Sequence, residues 1–269
     1  MDKPRGLYDQ LYGCMMDPIY RQIRAVTFDQ DLGQTGWLTA AELSGFVSRL
    51  HLSASCRVLD VACGSGGASV LMAHETGAHV VGVDANQMAV KVALERAARE
   101  VLNERVLFRV ADASRPLPFE EQSFDAIFCN DAINHLKDRR ALLADWFRML
   151  KPGGRILYTD PVVVTGMVSA SEFAARSSIG EFVFAPRGEN EMILGESGFR
   201  DVEVLDASDN IIELSRRWRD ARAFHREALV ALETEAGFQA IQDFLTTVHI
   251  LAEEGRLLRH AFCARRPGR

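Results

Sequence analysis

The chain has 269 residues, 48% of them hydrophobic and 25% charged, which fits one large folded α/β unit with insertions and excludes disordered, collagen-like and disulfide-scaffold architectures. Its 31 basic and 37 acidic side chains give a net charge of -6 with no long run of one sign, so no nucleic acid or membrane partner is expected, and an adenosine-containing cofactor or small molecule stays open. Cys14, Cys56, Cys63, Cys129 and Cys263 are scattered without a C-x-x-C pair, and no carboxylate/histidine cluster has metal-site spacing, so neither a disulfide framework nor a metal is expected.

Residues 1–50 read as helical, with Tyr8, Leu11, Tyr12, Met15 and Met16 crowded ahead of Pro18. A loop at 31–36 follows, then a helix over 39–50 for which Thr39 is the cap and Glu42 completes a capping box. The opening residues lack the apolar core of a signal peptide and the longest apolar stretches are of strand length, so the expected location is cytoplasmic. Homodimerisation stays open.

From residue 56 the pattern becomes strand, turn, helix: strands at 56–61, 79–84, 105–110 and 124–130, helices at 68–76, 86–101 and 139–150, and a fifth strand at 155–159 behind the turn Lys151-Pro-Gly-Gly154. Strands alternating with helices imply right-handed crossovers and a parallel sheet covered on both faces. Beyond 160 come a loop-rich insertion, a helix at 190–196 ending at Gly198, a strand at 199–205, helices at 213–235 and 238–254, and a closing strand at 257–264. No internal repeat or linker appears.

The strongest local signal is Val58-Leu-Asp-Val-Ala-Cys-Gly-Ser-Gly-Gly67, a buried strand running into glycines and then a helix. Such a turn lets backbone approach a ligand at the carboxyl end of a central strand. Asp84 follows twenty residues after Gly64, at the end of the second strand, where a carboxylate can accept from ribose hydroxyls. A dinucleotide fingerprint needs a third glycine where Ser69 stands, and Asp60 beside the turn suits a cationic amino group or sulfonium better than a pyrophosphate.

Downstream stand Ala111-Asp-Ala-Ser114, Leu117-Pro-Phe-Glu-Glu-Gln-Ser-Phe-Asp-Ala-Ile-Phe128 and Leu150-Lys-Pro-Gly-Gly-Arg-Ile-Leu157. With these motifs in this order over 56–160, the sequence resembles the class I S-adenosylmethionine-dependent methyltransferases of small-molecule type. One position departs: the family's D-x-G-x-G-x-G has Ala62 for its first glycine. The resemblance implies an α/β fold, a doubly wound Rossmann-like sheet with its last strand antiparallel. It also implies an N-terminal helical lid over 1–50 and a main domain over 51–269 with cap insertions at 161–195 and 209–254.

It further implies S-adenosylmethionine as cofactor, S-adenosylhomocysteine as product, and direct methyl displacement onto a small-molecule acceptor, with nitrogen or oxygen favoured and carbon open. Asp60, Ala62 and Gly64 would line the methionine end, Asp84 would hold the ribose, and Asp112 and Ala113 the adenine, with Met88 or Asn86 packed beside it and Ala85 among the cofactor-binding residues. Asn130 would face the cofactor. His135 is similar in position to a histidine of glycine/sarcosine-type and cyclopropane-type methyltransferases, and its ordinary pKa suits a base; a structural histidine fits the same residues. Asp131 reads either as a site residue or as a cap for the following turn, and Asp112 alone also reads as an Asx turn.

Tyr8, Tyr12, Tyr20 and Trp37 place aromatic rings, attractive to a cation, on the expected lid, although a Tyr/Met stripe at helical spacing equally describes core packing. The loop 33–37 is the expected moving element. Arg216, Arg217, Arg219, Arg222 and Arg226 lie along one expected cap helix, either to hold an anionic acceptor group or as a solvated face paired with Glu213, Asp220 and Glu227. Two contrasting readings stand beside methyl transfer: an NAD-dependent oxidoreductase, and a catalytically inactive cofactor-binding regulatory protein.

Overall fold

The computed structural model describes residues 12–268. The expectations for Tyr8 and Leu11 lie outside the described residues. Residues 12–14 are helical, and they are followed by α1 (Pro18–Thr27), entered through Asp17 and Pro18, and α2 (Ala40–Leu50), whose first turn is capped by Thr39 Oγ1 accepting from the Glu42 N–H at 3.1 Å. The expected capping box does not close, because the Glu42 carboxylate turns away to pair with Arg259.

Five strands then alternate with helices: β1 (Arg57–Val61), α3 (Gly67–Thr76), β2 (His79–Asp84), α4 (Gln87–Arg99), β3 (Val106–Val110), β4 (Phe124–Cys129), α5 (Arg139–Met149) and β5 (Leu150–Val164). Asn86 and Asp138 cap α4 and α5 with their side chains, and Gly77, left-handed at φ 72°, ends α3. After α6 (Ala170–Arg176) and the two-residue β6 (Ala185–Pro186) come α7 (Glu189–Glu196), β7 (Arg200–Asp206), α8 (Ser208–Phe224), α9 (Arg226–Glu253) and β8 (Leu257–Arg265).

The sheet runs β3-β2-β1-β4-β5-β8-β7, with β1 to β5 parallel and β8 antiparallel to both neighbours. From β1 the chain winds outward through β2 and β3, then returns to the other side of β1 as β4, which opens a crevice at their carboxyl ends. Alternation along the strands divides the core into two layers. Val58, Val80, Ala126 and Phe128 meet α2, α3 and α4 on one face; Leu59, Val81, Ile127 and Cys129 meet Leu143, Trp146 and Leu194 on the other.

Several boundaries differ from expectation, among them the start of β5, at Leu150 with the expected turn 151–154 inside the strand, and that of α8, at Ser208 in place of Glu213. Strand β5 runs five residues past Thr159 to Val164, crossing Pro161 where its register against β8 shifts; a bulge tolerates the missing N–H. The expected break near Gly237 lies instead at His225, between α8 and α9, and again at Thr234, where φ 70° and ψ 160° interrupt α9. Arg226 therefore leaves the helix of the other four arginines. Among the described residues no helix is long and apolar enough to cross a membrane.

Candidate active site

A cavity of about 440 Å³ opens at the carboxyl ends of β1 to β4. Asp60, Ala62 and Gly64 from the first strand and its turn, Asp84 and Ala85 after β2, Asp112 and Ala113 after β3, and Asn130, Asp131 and His135 after β4 all line it, with Tyr12 above. Met88 does not; it is exposed on the outer side of α4, and Asn86, whose side chain caps that helix, takes the wall position.

The turn is built around its carboxylates. The Gly64 N–H donates to Asp84 Oδ2 at 2.9 Å and the Asn86 N–H to Oδ1 at 2.8 Å, so one side chain fixes both the glycine turn and the entry to α4. Gly64 has φ 54°, and a Cβ there would lie 2.7 Å from the Tyr12 hydroxyl, so both conformation and space favour glycine. Ala62 adopts the same left-handed region at φ 56° with a side chain. Asp60 is buried and accepts from Ser69 Oγ at 2.5 Å; burial pushes its pKa up to about 7, with the charge of Asp84 adding to the shift. Asp112 does form an Asx turn, Oδ1 accepting from the Ser114 N–H at 2.9 Å, and still borders the cavity.

Loop 33–37 lies across the turn. Ser65 Oγ donates to the Gly33 carbonyl at 3.0 Å, and a Cβ on Gly67 would fall 1.9 Å from the Leu32 carbonyl oxygen, so the loop rests on the glycines backbone to backbone. The Trp37 N–H donates to Asp131 Oδ2 at 2.9 Å. The Trp37 ring faces away, packed edge-on to Trp218 at 6.0 Å and stacked on Phe244 at 6.4 Å, so it joins the loop to the cap helices α8 and α9.

A second cavity of about 60 Å³ shares Thr35, Gly36, Asp131 and His135 with the first and is walled by Tyr20, Trp37, Phe182, Trp218 and Phe244. His135 Nδ1 lies 2.9 Å from the Glu181 carbonyl oxygen, which only accepts, so Nδ1 carries the proton and Nε2 the lone pair, 3.4 Å from Asn134 Nδ2. Burial lowers the His135 pKa, favouring this neutral form. Tyr20 does not present its hydroxyl to the cavity alone: it donates to Glu233 Oε1 at 2.5 Å. Of the cap arginines, Arg222 is buried and chelates that same Glu233, at 2.6 and 3.0 Å; Arg216 pairs with Glu213 and Asp220 on its own helix, in line with a solvated face.

Sequence reasoning missed the groups beneath this wall. Arg259 on β8 is fully buried under Asn130 and Asp131, Thr159 of β5 bonds both, and Arg176 lines the second cavity with its guanidinium 4.5 Å from the Phe182 ring. A charge inside the apolar run 257–264 was the available signal for Arg259; Arg176 had none.

Residues 52–186 match the family described as "Methyltransferase domain". Phosphoethanolamine N-methyltransferase 1 of Triticum aestivum is 34% identical over 73% of this chain and 39% of its own length; the chain thus spans about two fifths of that relative. The O-methyltransferase resE of Aspergillus sclerotiorum is 28% identical over 77% of the chain and 76% of its own length. Among solved structures, phosphoethanolamine N-methyltransferase 2 of Haemonchus contortus, in complex with phosphomonomethylethanolamine and S-adenosylhomocysteine, superposes with a TM-score of 0.80 at 26% identity, covering 98% of this chain and 61% of that one.

Proposed function

The chain belongs to the methyltransferase-domain family, and we propose that it moves a methyl group from S-adenosylmethionine to a small-molecule acceptor, at nitrogen or oxygen in preference to carbon. The observation that carries this reading is the row of carboxylates, Asp60, Asp84 and Asp112, along one cleft at the carboxyl ends of three successive strands. The cofactor fits this chain's residues: a cleft of about 440 Å³ is of ligand size, and its acids favour an ammonium and a sulfonium over a pyrophosphate. The relatives' names, which include an N- and an O-methyltransferase, support a small acceptor.

When bound, S-adenosylmethionine would supply an electrophilic methyl group for the acceptor's lone pair, with the neutral thioether S-adenosylhomocysteine as the leaving group. Asp60, Ala62 and Gly64 hold the methionine end, Asp84 and Ala85 the ribose, and Asp112 with the Ala113 amide the adenine. Asn130 borders the methyl. Asp131 and His135 stand where the two cavities meet, and the smaller, aromatic-walled one receives part of the acceptor. His135 Nε2 takes the proton that an N–H or O–H acceptor loses; alignment of the acceptor does the rest. Tyr12 and loop 33–37 keep water from the turn.

Five free cysteines support a reducing, cytoplasmic setting. The reading needs no nucleic-acid or membrane partner, and gel filtration decides between monomer and homodimer. The first experiment is calorimetric titration with S-adenosylhomocysteine on the wild type and Asp84→Ala, with NAD in parallel. Binding of the thioether that is lost in the variant is the expected result; NAD binding in its place would sink the reading. Methyl transfer to any member of an acceptor panel then separates an enzyme from a cofactor-binding regulator.

A further inference from the structure

Four protein groups hold the Asp131 carboxylate at the junction of the two cavities. Oδ1 accepts from Arg259 Nε at 2.8 Å and Thr159 Oγ1 at 2.7 Å; Oδ2 accepts from the Trp37 N–H at 2.9 Å and Asn130 Nδ2 at 3.1 Å. The Trp37 bond ties loop 33–37 to the end of β4, and the approach is close: a Cβ on Gly36 would lie 3.1 Å from Oδ2. Asp131 itself has φ 49°, a left-handed conformation that a non-glycine keeps when its surroundings determine it.

Arg259 supplies that determination. Its three nitrogens bond three different side chains: Nε to Asp131, Nη1 to Glu42 Oε1 at 2.6 Å, and Nη2 to Asn130 Oδ1 at 3.0 Å. The planar guanidinium thereby fixes the angle between β8, the first turn of α2 and the end of β4, which a lysine ammonium has no fork to do. Arg259 is thus the cation that both carboxylates, Asp131 and Glu42, share. A buried ion pair adds little net stability over a well-packed apolar replacement, so stability alone does not account for arginine here.

We propose that Arg259 is a positioning residue: it orients Asp131 so that Oδ2 latches loop 33–37 over the cleft and sets the wall that the two cavities share. What the latch serves rests on the methyl-transfer reading; the latch itself can be measured without turnover.

The test is hydrogen exchange at the Trp37 amide, with S-adenosylhomocysteine affinity, in Arg259→Lys, Asp131→Asn and the double variant. In Arg259→Lys the Trp37 amide should exchange about tenfold faster, the loss of one charge-assisted bond. Amides of β1 and β2 should keep their wild-type rates, which a general loss of structure would not allow. Added to Asp131→Asn, the Arg259 change should do nothing more. Wild-type exchange at Trp37 in folded Arg259→Lys, or effects that add in the double variant, would overturn the proposal. If Arg259→Lys does not fold, Glu42→Gln loosens the guanidinium without touching Asp131, and unchanged Trp37 exchange there would overturn it equally. A wild type that binds no S-adenosylhomocysteine would fail the functional reading while the exchange data still decide the latch.

Discussion

Ser69 Oγ donates a 2.5 Å hydrogen bond to Asp60 from the first turn of α3. Ser69 stands where a dinucleotide fingerprint has its third glycine, so the departure from that motif is also the donor that holds a buried carboxylate. Burial raises the Asp60 pKa to about 7, and the Ser69 hydroxyl pulls against that shift. Ser69→Ala should therefore move the titration upward and weaken S-adenosylhomocysteine binding about tenfold at neutral pH, the worth of one bond to a charged group. The gap should narrow at alkaline pH, where Asp60 ionises in both proteins. A pH series of calorimetric titrations tests this; a pH-independent deficit would show that Ser69 acts otherwise.

The same carboxylate gives a stability prediction with a defined sign. Its folded pKa of about 7 lies above the ordinary 3.8, so the ligand-free folded protein holds a proton that the unfolded chain releases. The resulting stability is full below the ordinary value and is lost as pH rises through about 7. Urea midpoints of the wild type should accordingly decline relative to Asp60→Asn across that window. Parallel curves would mean that Asp60 titrates normally.

His135 carries the opposite shift. Burial lowers its pKa from 6.5, so the imidazole stays neutral at pH 7 and activity should hold until the pH falls through that lowered value. For an N–H or O–H acceptor, His135→Ala should reduce kcat by roughly 100-fold or more, the usual range for a positioned base, with cofactor affinity nearly unchanged. Full kcat in a folded variant would return His135 to a structural role, held by Glu181 and packed on Phe182.

The parallel half of the sheet was legible because its inner strands β1, β2 and β4 are buried on both faces, while the edge strand β3 alternates. His79 and Asp84 bracket an apolar run whose ends the structure reproduces to the residue, and the glycines, Asp84 and Asp112 fall on one cleft because a parallel sheet brings successive strand ends together. The cap was less legible. The break expected near Gly237 falls three residues from the one at Thr234, where the turn delivers Glu233 to Arg222 and Tyr20, but no local pattern marked the second break at His225. Arg259 meets Glu42 from 217 residues away, a pairing no local pattern carries. The resemblance offered Met88 or Asn86 beside the adenine without choosing between them, and of the two Asn86 lines the cavity.

Glu233 gives the test of that cap. Its carboxylate takes both terminal nitrogens of Arg222, whose side chain is 2% exposed, and the Tyr20 hydroxyl of α1. Glu233→Ala leaves the guanidinium buried without its counter-ion and should destabilise the protein by about 3–5 kcal/mol, whereas Tyr20→Phe should lose only about 1 kcal/mol. Replacing the pair together, as Arg222→Met with Glu233→Leu, should recover most of the loss in urea titrations. If the double replacement is no better than Glu233→Ala, apolar packing at this joint is more exacting than the ion pair.

Ala62 makes the last prediction. At φ 56° it holds a left-handed conformation that places an L side chain about 1–2 kcal/mol above its preferred regions, at the position where the family's motif has glycine. Glycine relieves that strain but surrenders part of the gain to the greater freedom of the unfolded chain. Ala62→Gly should raise Tm by about 1–3 °C and leave S-adenosylhomocysteine affinity within a few fold, because the carboxylates of the cleft do not move. Ala62→Val, branched at Cβ and pointed at the same cleft, should lower Tm by several degrees and weaken binding together. Thermal denaturation of the two variants decides the matter: if glycine destabilises, the left-handed turn is held by contacts of the Ala62 methyl group, and strain is not what distinguishes this chain from the family's motif.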